Sequence, residues 1–209
     1  MQGVPYPVEF SVEYPDRDLN RLSTFFRLFT VIPIALVAAA IVETGYGEYS
    51  YVNLVYIAGA GMGLIGLPTG LMILFRKKYP RWWFDWNLEL MRFVARIGVY
   101  SSLMDDRYPS TDEQQSVRLD FPYPDVERDL SRWLPIFKWL LLIPHYIALF
   151  FVFIALFIVL VIAWFAILFT GRYPRTLFQF SEGVHRWYYR VIAYGFALGT
   201  DRYPPFSLK

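Results

Sequence analysis

The stretch that decides the fold runs from Trp133 to Phe169: WLPIFKWLLLIPHYIALFFVFIALFIVLVIAWFAILF. Lys138 and His145 are its only basic residues, and it holds no carboxylate. As one helix it would be about 55 Å long at ~1.5 Å per residue, whereas about 20 residues cross a bilayer core. Two readings follow. The stretch folds as a hairpin with a tight turn near Phe150–Phe153, or residues 131–143 lie partly in the interface and one span follows Pro144. Upstream, Phe25–Val42 is apolar except for Arg27 and Thr30, and with Leu22–Thr24 it makes a span at about 22–42. A second span covers about 52–75. The segment between them, Glu43–Ser50, is glycine-bearing and reads as a turn.

Composition agrees with an embedded chain. Of 209 residues, 56% are hydrophobic and only 18% charged, against about 25% charged in soluble domains. Mean hydropathy is +0.34. The absence of cysteine removes disulfides, thiol catalysis and cysteine metal sites, and two histidines are too few for most histidine-built ones. All 20 lysines and arginines lie outside Glu43–Ser50, which holds two glutamates. The positive-inside rule then places both ends of the first hairpin in the cytoplasm. A cleaved secretory signal ending at Ala38–Ala40 is the competing reading, disfavoured by a long, acidic leading segment.

The chain reads as two copies of one module. Leu74-Phe75-Arg76-Lys77-Lys78-Tyr79-Pro80-Arg81 corresponds to Leu168-Phe169-Thr170-Gly171-Arg172-Tyr173-Pro174-Arg175 at an offset of 94. Arg92, Arg96 and Tyr100 meet Arg186, Arg190 and Tyr194 at the same offset. Asp-Arg-Tyr-Pro closes each half, at Asp106–Pro109 and Asp201–Pro204. Arg21 and Ile32-Pro33 recur as Arg132 and Ile143-Pro144 at offset 111, and Tyr14-Pro15-Asp16 recurs as Tyr123-Pro124-Asp125. The expected units are residues 1–110 and 111–209. Matching motifs imply the same membrane side, hence an even number of crossings per half, which favours four transmembrane helices.

Each half opens on alternating apolar and polar residues, predicting short strands at 8–14 and 117–123. Each closes on an amphipathic helix, at about 82–104 and 176–198. Asp85, Glu89, Arg92 and Arg96 form one helical stripe, and Gln179, Glu182, Arg186 and Arg190 form its counterpart. A narrow charged stripe on a tryptophan-rich helix fits an in-plane position on the bilayer, with a helix packed beneath the bundle as the rival. The fold class expected is mainly α and membrane-embedded.

Ile143–Tyr146, Phe165–Arg175 and Thr200–Phe206 resemble a bacterial membrane family known as domain of unknown function 4389. The second half matches well; the first departs from it, with Arg-Lys-Lys-Tyr-Pro for Thr-Gly-Arg-Tyr-Pro and Ile34 where the second has His145. The resemblance implies an integral protein of the bacterial inner membrane and supplies no activity or catalytic residue.

Six arginines are candidate lipid-headgroup ligands: Arg92, Arg96, Arg172, Arg175, Arg186 and Arg190. Forked guanidinium donors suit phosphate. Against this, Tyr-Pro-Arg reads as a helix stop with an interfacial anchor, and the stripes as internal pairs, Asp85–Arg92 or Glu89–Arg96. Gly59, Gly63, Gly66 and Gly70 are spaced by four and predict close helix packing. His145 is expected to be a satisfied interfacial side chain, and His185 to face the surface. Asp105, Asp106, Asp125, Asp129 and Asp201 mostly neighbour arginines, with Asp125 placed for a helix N-cap. Nucleophile-elbow, phosphate-loop and zinc-helix motifs are absent. No enzyme activity, cofactor, metal or nucleic-acid partner is expected. The chain should act as a structural or accessory subunit of a membrane assembly, with itself or in a larger complex. The alternative is lipid binding, transfer or scrambling at the inner leaflet, with membrane lipids as partners.

Overall fold

The computed structural model describes residues 6–42, 66–111, 113 and 115–209. The fold is mainly helical with two short strands. In chain order it runs β1 (Glu9–Val12), α1 (Arg21–Phe25), α2 (Arg27–Val42), α3 (66–71, continued as one π-helical turn, Met72–Arg76) and α4 (Arg81–Ser101). Then follow β2 (Val117–Asp120), α5 (Val126–Asp129), α6 (Leu134–Leu141), α7 (Ile143–Thr170) and α8 (Arg175–Gly195). The loop 43–50, most of the span expected at 52–75, Gly59 and Gly63 lie outside the described residues.

The strands form one antiparallel ladder, Phe10 opposite Leu119 and Val12 opposite Val117. Their alternation buries Phe10, Val12 and Leu119 while Glu9, Ser11, Arg118 and Asp120 face out. The inner face packs on α4 and α8. Phe10 stacks on Tyr189 at 5.1 Å between ring centres, and Phe84 meets Phe121 edge-on at 5.3 Å. Ala163 and Ile167 of α7 close the same core from the far side.

The hairpin expected near 150–153 does not form. Residues 143–170 are one unbroken helix, because nothing between His145 and Thr170 interrupts i→i−4 bonding. The break comes earlier, at Leu142, where α6 ends and Pro144 opens α7 as a first-turn proline. Among the described residues α7 is the one helix long and apolar enough to cross a membrane, so four spans are not supported. The first block divides as well. Phe26 ends α1, leaving a 16-residue α2 with Pro33 inside it. Both Tyr-Pro-Arg motifs start helices, with Pro80 and Pro174 at the N-caps of α4 and α8. Their tyrosines are not interfacial anchors: Tyr79 and Tyr173 are 2% and 1% exposed.

The amphipathic helices do not lie open on a surface. α8 is buried over most of its circumference between α7 and β1, and α4 between α2 and β2. Exposed apolar side chains gather instead on α1, α2, α6 and α7, among them Leu28, Phe29, Phe137, Leu140, Phe157 and Phe169.

Candidate functional site

The charged stripes of α4 and α8 face the strand ladder, and their helical spacing sets two arginines of each at its edge. Arg92 Nε donates to Leu119 O of β2 at 2.9 Å, and Arg186 Nε to Phe10 O of β1 at 3.0 Å. Leu119 and Phe10 are register partners, so the two guanidinium groups grip the ladder from opposite strands. Each is neutralised on its own helix: Arg92 by Glu89 at 2.5 Å, and Arg186 by Glu182 at 2.8 Å. Arg92 also reaches Asp120 at 3.2 Å. The pairs expected within α4 therefore change partners. Asp85 takes Arg81, Glu89 takes Arg92, and Arg96 takes neither.

One turn on, Arg96 and Arg190 are bound differently. Arg96 Nη1 donates to Ser110 O and Thr111 O at 2.9 and 3.1 Å, and Arg190 Nη1 to Lys209 O at 2.6 Å. The Nε of both is buried without a hydrogen-bond partner. Burial, and next the charge of Arg186, pull Arg190 below the usual guanidinium range.

These four arginines line a single cleft of about 980 Å³, together with Arg107, Arg118 and Lys209. Glu9, Glu13, Glu89 and Asp120 are its carboxylates. The fold thus joins four of the six arginines singled out in the sequence. Arg172 and Arg175 stand apart, exposed, each paired with an aspartate of the β1–α1 connection: Asp18 at 3.0 Å and Asp16 at 3.3 Å. Gly66 sits where a Cβ would come within 2.8 Å of Phe196 O, and Gly70 near Leu198 and Pro135.

Two buried cations lie on the other side of α4 and α8. Arg27 (2% exposed) donates to Tyr100 O and Asp105 O, with its guanidinium carbon 3.9 Å from the Tyr100 ring centre. Lys138 (0% exposed) donates to Thr200 O, pairs with Asp201 at 2.9 Å and lies 4.6 Å from the Tyr194 ring centre. In the sequence both stand as interruptions of apolar blocks, with Arg27 also among the cations flanking the first span. The signal was present: 27 and 138 differ by 111, the offset of Arg21/Arg132 and Ile32-Pro33/Ile143-Pro144.

The histidines also differ from expectation. His185 is buried, not surface-facing: Nδ1–H donates to Ser181 O at 2.8 Å, leaving Nε2 to accept from Ser102 Oγ at 3.3 Å. Burial holds it below the ordinary histidine range, outweighing the opposing effect of its hydrogen bonds. His145 is fully buried; it accepts from Trp187 Nε1 at 3.0 Å and stacks on Phe206 at 3.9 Å. Asp125 caps α5, accepting from Glu127 N and Arg128 N. Among the described residues no cluster of histidine or carboxylate side chains is arranged to hold a metal.

Residues 132–207, from the start of α6 through α8 to the tail, match the family described as Domain of unknown function (DUF4389). No curated protein and no solved structure matches the chain. The matched segment supplies Lys138, His145, Arg172, Arg175, Arg186 and Arg190, whereas Arg92, Arg96 and both strands come from outside it.

Proposed function

We propose that this protein is a non-enzymatic membrane protein, built from two copies of one module, that serves as an accessory subunit of a membrane assembly. One observation carries the reading. The most apolar 18-residue stretch of α7 has a mean hydropathy of 3.2, yet only 17% of it is buried. The exposed apolar surface continues over α1, α2 and α6. Monomeric soluble proteins rarely expose contiguous apolar patches above a few hundred Å² (~300–600 at most), so lipid or another protein chain covers this face. Glu43–Ser50 holds no lysine or arginine, and the positive-inside rule turns the basic residues flanking the first apolar block toward the cytoplasm.

The duplication is supported by bonds that repeat at the sequence offsets. Tyr14 donates to Tyr173 O, and Tyr123 to Tyr79 O. Arg175 lies over the Tyr14 ring, and Arg81 over the Tyr123 ring. Lys77 and Gly171, 94 apart, both close a helix in the left-handed region, at φ 46° and 77°. Native mass spectrometry of the protein extracted with its own lipids tests the subunit reading. Retained subunits, its own or another chain's, are expected; a partnerless monomer in native membrane discs would overturn it.

A second reading, lipid handling at the inner leaflet, is favoured by the convergence of Arg92, Arg96, Arg186 and Arg190 on one cleft. Loss of anionic lipid on changing these four to glutamine is the expected result, and unchanged lipid content removes this reading.

A further inference from the structure

The four cleft arginines are not equivalent, and the difference assigns them separate tasks. Arg92 and Arg186 are spent. Their Nε groups hold strand carbonyls and their charges are met by Glu89, Asp120 and Glu182. They are struts of the fold. Among the described residues no aspartate or glutamate pairs with Arg96 or Arg190. Arg96 is only 7% exposed, and both side chains keep a buried Nε–H with no acceptor.

A guanidinium removed from water needs a counter-charge, and a buried N–H needs an acceptor. Main-chain oxygens answer part of the second demand at these two sites; among the described residues no aspartate or glutamate side chain answers the first. On the same cleft, Arg118 and Lys209 are exposed cations with no carboxylate partner among the described residues. Glu9 and Glu13, the two lining carboxylates not engaged by Arg92, are exposed.

We propose that this cleft binds a phosphate-bearing ligand, with Arg96 and Arg190 as its principal ligands and Arg118 and Lys209 at the rim. Phosphate fits better than a lone carboxylate, because its several oxygens can accept from two forks and two further cations at once. A lipid headgroup and a soluble phosphate ester share this chemistry. The inference deepens the second reading above, and its soluble arm does not depend on it.

The full chain in detergent is titrated with pyrophosphate by calorimetry. In parallel it is floated with phosphatidylcholine vesicles with and without phosphatidic acid. R96Q/R190Q should weaken binding by at least roughly tenfold, the loss of one charge-assisted contact or more, and R96K/R190K should recover part of it. R118Q/K209Q, at exposed positions, should weaken it by about threefold; this pair reads the same site if the double glutamine variant does not fold. R175Q, outside the cleft, should bind like the unaltered chain. Binding of pyrophosphate but not of the acidic vesicles keeps the site and removes the lipid reading. Acidic-vesicle binding unchanged in R96Q/R190Q and R118Q/K209Q overturns the site while leaving lipid attachment elsewhere. Failure of the unaltered chain to bind either probe also overturns it.

Discussion

Arg27 and Lys138 occupy sockets of the same plan that differ in how charge is closed. In each, the cation sits over the ring of a tyrosine (Tyr100 or Tyr194) and donates to a carbonyl of the turn that follows it. Lys138 also has Asp201. The corresponding carboxylate near Arg27, Asp106, turns to the exposed Arg17 and accepts from Asn20 N. Asp201 keeps the matching backbone bond, from Ser131 N at 2.5 Å. Burial alone would raise Asp106, but the Arg17 fork and the Asn20 N–H outweigh it and hold the carboxyl below its usual range. Arg27 is left with two buried nitrogens, Nε and Nη2, lacking partners. The same backbone frame thus accepts a neutralised ammonium or a guanidinium held only by carbonyls and a π-face. The frame sets the position of the cation, and the neighbouring carboxylate is free to pair elsewhere.

Breaking each socket should expose this asymmetry. K138A should cost about 3–5 kcal/mol, because it strands Asp201 beside a buried site; the thermal unfolding midpoint in detergent reads it. A midpoint within error of the unaltered chain would mean the pair is not a closing contact. R27M should cost less, about 1–2 kcal/mol, since the lost carbonyl bonds are offset by relief of two unsatisfied donors. A larger loss for R27M than for K138A would reverse the comparison. The smallest effect concerns the seam between the two regions, where His185 of α8 meets Ser102 just after α4. Its proton affinity is lowered on folding, so the unfolded chain binds the extra proton. Stability is complete above the unfolded value of about 6.5 and falls with pH below it, by at most about 1.4 kcal/mol per pH unit. Unfolding midpoints followed from pH 7.5 to 5 should show this slope, and H185Q should flatten it.

Local pattern carried much of the fold. Period-two alternation found both strands, and the step of three and four found the charged face of α4 and α8. Asp125 was legible as a cap because the chemistry of capping is local. The turn at 150–153 was argued from membrane sidedness, a long-range premise, against a stretch with no turn former. The local chemistry prevailed, and α7 runs through. His185 was misplaced because helical spacing gives the face of a residue but not what covers that face. The grip of Arg92 on Leu119 O and of Arg186 on Phe10 O could not be read either. Strand pairing across more than a hundred residues leaves no mark in a short window. Nor did spacing distinguish the arginines with carboxylate partners from those without.

The ladder has a consequence for how such a protein can be cut or shortened. β1 lies over α8 and β2 over α4, so each helix is roofed by a strand from across the connection between Ser101 and Val117. A polypeptide severed in the connection between Ser101 and Val117 yields two fragments that each lack their own cover. Co-expressed, they should find one another and reconstitute the whole.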